Sequence, residues 1–168
     1  GGAGQTGAQA GAGDGSLLEP TMWGSQGGDS DGGSGTPGGG AIRLIVDGTL
    51  TADGTIDANG AGLPPNNVGG GSGGSVWLTV GTWAGQGSIT ANGGPGEWVD
   101  GGGGGGGRIA VYYANRSFTG AVTAYGGGGS QRAEGKERAK AHCLHDQPAR
   151  QCARQLAGAA DRGKCPAD

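Results

Sequence analysis

The stretch "GSITANG", residues 87–93, decides the fold because it recurs at a fixed spacing along the chain. The copy before it reads "GTIDANG" (54–60), and the copy after it reads "GAVTAYG" (120–126). Each copy is therefore offset from the next by 33 residues. Self-similarity at such a period is the signature of stacked structural units.

A second motif precedes each copy and has nearly the same period. Its versions, offset by 34 and 33 residues, are "AIRLIV" (41–46), "SVWLTV" (75–80) and "RIAVYY" (108–113). Apolar side chains alternate with period two in both motifs, as in a strand with one buried face. Stacking the units predicts inward columns at 42/76/109, 44/78/111 and 56/89/122. Because each unit has few apolar side chains, neighbouring units must bury one another.

Smaller signals support the same alignment. Ala58, Ala91 and Ala124 form a further inward column where little space is left. In a short middle strand, Leu50 matches Trp83, but the third position of that column is Arg116. We expect Phe118, two residues further on, to take its place.

Glycine dominates the composition, with 46 of 168 residues against one Phe and one Met. A conventional layered core is excluded, and no strict Gly-X-Y period indicates collagen. The segments at 61–74 and 94–107 connect the repeated motifs, where we expect glycine to turn the chain, adopt positive φ and allow close backbone stacking. A phosphate-binding loop would need Lys-Ser or Lys-Thr and a helix after the glycines. Here Arg108 and a predicted strand follow.

Composition divides the chain into three segments. Residues 1–40 are a glycine-rich, divergent or frayed first unit, and 41–130 contain the repeats. Residues 131–168 hold eight of the 11 Lys and Arg, five of the 14 Asp and Glu, all three Cys and only three Gly. We therefore predict that this basic tail is poorly ordered, lies outside the repeat and packs poorly against it. Its one local signal is a helix pattern over 146–160 with a small, mostly Ala face.

These observations predict an all-β fold, namely a short parallel β-solenoid of about three 33-residue units. The expected strands lie near 41–46, 49–51, 55–58, 75–80, 87–91, 108–113 and 120–124.

The pattern "G-x-L-x-x-x-G-x-I-x-A-x-G", seen in "GTLTADGTIDANG" (48–60), resembles the coils of large exported bacterial adhesins of the filamentous-haemagglutinin and autotransporter-passenger type. The glycine-rich repeat as a whole resembles those of very large bacterial cell-surface proteins. The resemblance covers roughly residues 38–130. It implies a right-handed parallel β-helix, an extracellular or cell-surface location and a structural or adhesive role. It transfers no catalytic residue.

Candidate chemical sites are sparse. Asp47, Asp53 and Asp57 lie close in sequence, but acids do not recur at these positions in the next unit. General acid–base chemistry would have to rest on such carboxylates, because residues 1–130 contain neither His nor Cys. We therefore predict no catalytic residue and no enzymatic activity.

Metal and cofactor sites are not predicted either. Asp29 and Asp31 in "GGDSDGGSG" (27–35) could offer oxygen ligands to calcium, but the motif has no second copy. In the tail, His142, Cys143, His145, Cys152 and Cys165 do not match the paired ligand spacing of a zinc site.

Outward aromatic residues are the best candidates for ligand contact. If Val76 and Leu78 point inward, Trp77 points outward, and so does Tyr112 in the next unit. Arg43 shares the column of Trp77 one unit earlier, within reach of a cation–π contact. A glycan could stack on this surface.

The favoured function is a structural or adhesive segment whose partners are glycans or further copies of the repeat. Nucleic acid is not expected, because residues 1–130 carry a net charge of −6 and no basic stripe. No apolar stretch is long enough to span a bilayer. Two alternatives stay open: a polysaccharide lyase or hydrolase on the same scaffold, and an ice- or surface-binding solenoid. The latter would need a regular Thr array, whereas only Thr90 and Thr123 share a column and Asp57 interrupts it.

Overall fold

The computed structural model describes most of the chain before residue 130 and two strands after it. The described residues are 1–2, 15–28, 35–62, 68–97 and 100–129, and the backbone of 142–147 and 150–155. Eight strands and no helix occur among them. The strands are β1 (Ala41–Thr51), β2 (Thr55–Asp57), β3 (Ser75–Ala84), β4 (Ser88–Thr90), β5 (Arg108–Arg116), β6 (Ala121–Thr123), β7 (His142–Gln147) and β8 (Arg150–Gln155).

The strands form two sheets, so the prediction of an all-β chain with parallel pairing is confirmed for these residues. The larger sheet has the order β1-β3-β5-β7-β8, and the smaller has the order β2-β4-β6. All neighbours pair in parallel except β7 and β8, which are antiparallel. The two strands predicted at 41–46 and 49–51 are one strand, β1, with a register shift between Val46 and Thr49.

The register of both sheets follows the period read from the sequence. In the larger sheet, Ile42 pairs with Val76, which pairs with Ile109. In the smaller sheet, Ile56 pairs with Ile89, and Ile89 pairs with Val122. A parallel pair cannot close through a tight hairpin, so each of these steps requires the long glycine-rich connection between its strands.

The core consists of the predicted inward columns. Val76, Leu78, Ile89 and Ile109 are fully buried, and the alanine column is buried as well. Their counterparts in β1 and β2 pack against the same cluster but are only half-buried. Burial therefore increases from the first unit to the second, because β3 has a repeat strand on both sides whereas β1 has one neighbour among the described strands.

Aromatic packing fills the position where the column of Leu50 breaks. Phe118 stacks on Trp83 with ring centroids 4.3 Å apart and an interplanar angle of 13°. Arg116, the register partner of Trp83, places its guanidinium 5.5 Å from the indole centroid. The prediction that Phe118 replaces Arg116 in the core is thus confirmed.

The glycine-rich connections pack into a third element, here called the glycine bundle. Its segments are 24–28, 35–40, 58–62, 68–74, 91–97, 101–107 and 124–128. The central segment, 68–74, donates backbone hydrogen bonds in turn to the segments 24–28, 101–107 and 58–62. Gly69 to Gly74 donate in order to the carbonyls of Gly28, Gly102, Ala61, Ser25, Gly105 and Ala58, at 2.8–2.9 Å. A rotation every three residues is the period of a polyproline II helix, whose backbone has no internal hydrogen bonds.

Close approach, rather than positive φ, explains why glycine fills these segments. A Cβ placed at Gly70, Gly71 or Gly73 would collide with a backbone carbonyl of the adjacent segment. Among the described glycines, only Gly15 and Gly85 have positive φ. The expectation of positive φ in these connections is therefore wrong for their described residues, and the expectation of close stacking is confirmed.

Two segments of the tail have a described backbone, and both are strands. The backbone of β7 pairs in parallel with β5, with Cys143 beside Ile109, one repeat length further along the chain. Residues 150–155, inside the predicted helix pattern, form β8. The free edge of β5 offers unpaired backbone groups that any extended segment can satisfy, whereas a mostly Ala helix face buries little apolar area. The smaller sheet ends at β6 among the described strands.

Candidate functional site: the outer face of the larger sheet

The predicted contact residues lie on the outer face of the larger sheet, in two neighbouring columns. One column contains Arg43, Trp77 and Ala110, and the other contains Ile45, Thr79 and Tyr112. Cross-strand pairing therefore joins Arg43 to Trp77 directly. It places Tyr112 in the adjacent column.

Arg43 lies over the indole ring of Trp77. The guanidinium carbon is 4.2 Å from the ring centroid, which is within the range of a cation–π contact. Trp77 is half-buried, and its Nε1 is buried without a hydrogen-bond partner among the described residues. One face of the ring is thus already covered by the chain's own cation, which reduces the indole surface that a ligand could contact.

A segment before the repeats crosses this outer face. Residues 15–24, here called the strap, place the carbonyl of Leu18 against Tyr112 and the carbonyl of Met22 against Ser75. The Tyr112 hydroxyl donates to the Leu18 carbonyl at 2.6 Å, and the Ser75 hydroxyl donates to the Met22 carbonyl at 2.5 Å. Ser75 and Ala110 are fully buried although they are on the outer face. The Met22 contact places the strap over this face at Ser75.

The strap also exposes apolar side chains that the sequence analysis did not single out. Trp23 is 76% exposed, and Leu17, Leu18 and Met22 are exposed as well. The signal was present, because "SLLEPTMW" (16–23) is an apolar cluster within an otherwise glycine-rich and polar segment. Because this cluster has no counterpart in the repeats, the sequence did not indicate where it lies in the fold.

Two of the three carboxylates considered for catalysis, Asp53 and Asp57, are bonded to the next unit. Asp53 accepts a hydrogen bond from the backbone N–H of Gln86 at 3.1 Å. Asp57 accepts one from the Thr90 hydroxyl at 3.3 Å and one from the backbone N–H of Asn59 at 2.7 Å. Both acids therefore have an evident structural use.

Other polar side chains on the smaller sheet make the same kind of bond. The Asn59 side-chain oxygen accepts from the N–H of Asn92 at 2.5 Å, and the Asn92 side-chain oxygen accepts from the N–H of Tyr125 at 2.8 Å. The hydroxyls of Thr55 and Ser88 are 3.1 Å apart. Each of these bonds links residues that are 33 positions apart. The bonds of Asn59 and Asn92 follow one another and so form a ladder through all three units, whereas the Thr55–Ser88 contact joins the first two units.

The remaining sequence hypotheses find little support in the described part of the chain. No group of three or more His, Cys, Asp or Glu within it could hold a metal ion. Asp29, Asp31 and Cys165 lie outside the described residues. In the antiparallel pair, His145 lies opposite Cys152 in register.

Asp57 interrupts the column of Thr90 and Thr123, as the sequence predicted. The prediction that no other threonines share a column is wrong, because Thr49 pairs with Thr82 in the larger sheet. Within the described residues, no helix has the length and apolarity needed to cross a membrane.

Comparison of this chain with protein-family models, with curated proteins and with solved structures finds no match.

Proposed function

We propose that this chain is a non-catalytic structural segment of a secreted or cell-surface protein, folded as a right-handed parallel β-solenoid of three glycine-rich units. The observation that carries the proposal is that polar side chains form hydrogen bonds between neighbouring units. Those of the smaller sheet bond to the unit 33 residues away. Such bonds hold the units in register and engage Asp53 and Asp57 with backbone and hydroxyl donors.

The solenoid interpretation is supported by the spacing of the paired strands. In both sheets, each strand of the repeats pairs with the strand one repeat further along the chain. The glycine-rich segments of successive repeats are hydrogen-bonded to each other as well. A parallel strand–connection–strand unit is almost always right-handed, because right-twisted strands favour that crossover. The extracellular location is supported by the resemblance to exported adhesin repeats and by a Cys-free segment up to residue 130.

Substitution of Asp53 separates a structural role from a catalytic one. Asparagine retains the oxygen that accepts from Gln86 but cannot act as a general base or acid. We expect Asp53→Asn to keep the stability of the native chain, and Asp53→Ala to lose about 0.5–1.5 kcal/mol, as for a typical hydrogen bond.

The assay combines urea denaturation with incubation on a panel of acidic and neutral polysaccharides. We expect no release of reducing or unsaturated ends by any of the three proteins. Turnover by the native chain that Asp53→Asn abolishes would instead establish the polysaccharide lyase or hydrolase alternative.

Adhesion is proposed to use the outer face around Trp77, with Arg43 and Tyr112 beside it. The half-exposed indole favours this, because an aromatic ring and a cation together suit a sugar ring with an acidic substituent. Tryptophan fluorescence titration with the same polysaccharides tests it. A saturable change that Trp77→Ala removes is expected. An unchanged titration in Trp77→Ala would place the contact elsewhere, for example at the more exposed Trp23.

A further inference from the structure

The first strand of the larger sheet has an open edge among the described strands. Among the described strands, β1 has one neighbour, β3, and so presents a row of backbone groups on its other side. Its inward side chains Ile42, Leu44 and Val46 are half-buried, whereas their partners in β3 are buried. Ile45, on the outer face of β1, is 57% exposed. Within the described part of the chain, this edge is both unpaired and apolar.

The other end of the sheet does not offer a matching surface for parallel stacking. The edge of β5 is occupied by β7, and the sheet ends with the antiparallel strand β8. A second copy therefore cannot continue the parallel order by placing its β5 against β1. Among the described repeat strands of the larger sheet, the one whose edge is open is β1, which points to pairing of like edges around a twofold axis.

The charges of β1 select one register for that pairing. In an antiparallel pair, opposite residues share a face, so outward residues must meet outward residues. Centring the pair on Ile45 places Arg43 of each copy opposite Asp47 of the other, twice by symmetry. A pair centred on Arg43 or on Asp47 would place that residue opposite its own copy, so that like charges meet. A pair centred on Leu44 or on Val46 would place both Arg43 and Asp47 opposite uncharged residues. Opposite-charge pairs across strands are favourable, and like-charge pairs are unfavourable.

The same register closes the core. With the centre at Ile45, Leu44 of each copy lies opposite Val46 of the other on the inward face. The half-buried ends of the two columns then cover each other.

We propose that this chain forms a twofold-symmetric dimer through antiparallel pairing of β1 with β1, centred on Ile45, which joins the two larger sheets into one. The inference rests on the geometry of β1 and does not depend on the proposed surface role. The partner is a second copy of this chain. The consequence is a bivalent particle whose two outer faces lie on the same side of one continuous sheet.

Charge reversal tests the register directly. Sedimentation velocity under reducing conditions is expected to show a dimer for the native chain. Arg43→Asp alone and Asp47→Arg alone each create two like-charge pairs, so each should weaken the dimer by about tenfold or more. An equimolar mixture of the two variants restores both opposite-charge pairs and should give a one-to-one heterodimer. Glu19→Arg, on the exposed strap, has the net charge change of Asp47→Arg and should leave the dimer intact.

Cross-linking provides a second readout that does not depend on charge. In a background with Ser at Cys143, Cys152 and Cys165, Ile45→Cys places two thiols opposite each other at the axis, within the Cα separation of a disulfide. Thr79→Cys lies in the same outward column one strand further in, so its two copies are about 14 Å apart at three strand spacings. Oxidation should link Ile45→Cys into a dimer and leave Thr79→Cys unlinked.

Several results would overturn the proposal. These are a native chain that is monomeric at all concentrations, an open-ended series of oligomers, failure of the mixed charge variants to associate, or equal cross-linking of the two cysteine variants. Because the mixture uses the same two proteins that fail to dimerise alone, its heterodimer also excludes misfolding as the cause of that failure.

Discussion

Replacement of Gly71 by alanine tests whether the glycine bundle depends on close backbone approach. The Gly71 N–H donates to the Ala61 carbonyl at 2.9 Å, and its own carbonyl accepts from the N–H of Gly94 at 2.8 Å. A Cβ at this position would collide with the backbone carbonyl of Pro37. No rotation of a side chain can relieve that contact, so a bundle segment must move and its hydrogen bonds must lengthen.

The expected loss is the difference between two effects. Inserting a methyl group into a packed site costs about 1–3 kcal/mol, and a contact with rigid backbone belongs at the upper end. Alanine also restricts the unfolded chain, which stabilises by about 0.4–1 kcal/mol. We therefore expect Gly71→Ala to lower the free energy of unfolding by about 2 kcal/mol. For a chain of this size, that corresponds to a fall of about 4–8 °C in Tm.

Gly54→Ala is the matched control, because a Cβ at this position would have no heavy atom within 4 Å and the φ of Gly54 is not positive. Here only the effect on the unfolded chain remains, so stability should stay the same or rise by up to about 1 kcal/mol. Urea denaturation followed by tryptophan fluorescence measures both variants against the native chain. A Gly71→Ala protein as stable as Gly54→Ala would refute the argument that close approach explains the glycine content.

Three further changes probe the side-chain contacts. Phe118→Ala removes the ring stacked on the core indole and should cost about 3–5 kcal/mol, with a shift in tryptophan emission; an unchanged midpoint would contradict the packing. Asn92→Ala removes the acceptor for the Tyr125 N–H and should cost about 0.5–1.5 kcal/mol in urea denaturation, whereas Asn92→Asp keeps the acceptor and should lose less. Arg43→Ala removes the cation over Trp77 and should cost about 0.5–1 kcal/mol, while Arg43→Lys retains part of that energy; equal stability of the two variants would argue against a cation–π contribution.

Where side chains enter the core, the sequence carried enough information to predict the structure. The period of 33–34 residues and the alternation of apolar residues predicted the pairing of Ile42 with Val76 and of Ile56 with Ile89. Burial of one strand face constrains every second residue, and a shift by one residue would turn the whole apolar set outward. For the same reason, the replacement of Arg116 by Phe118 could be predicted from the single break in its column.

The contact surface was only partly predictable. Alternation placed Arg43 beside Trp77, and the structure has them in contact. It could not show that the strap crosses the same face, because the contacts of Leu18 and Met22 with the sheet use backbone carbonyls. Backbone acceptors are identical in every residue and leave no pattern in the sequence.

By itself, the sequence therefore determined the strands of the repeats, their parallel register and the inward columns, since each depends on where apolar side chains are buried. Tertiary structure alone decided the arrangement of the glycine bundle and the pairing of β7 with β5. In the bundle, successive N–H groups from Gly69 to Gly74 point to three different neighbouring segments. Five of these six residues are glycines, which have no side chains in which such a rotation could be recorded. At β5, the free edge of a sheet accepts backbone groups from whichever extended segment reaches it, whatever that segment's composition predicts.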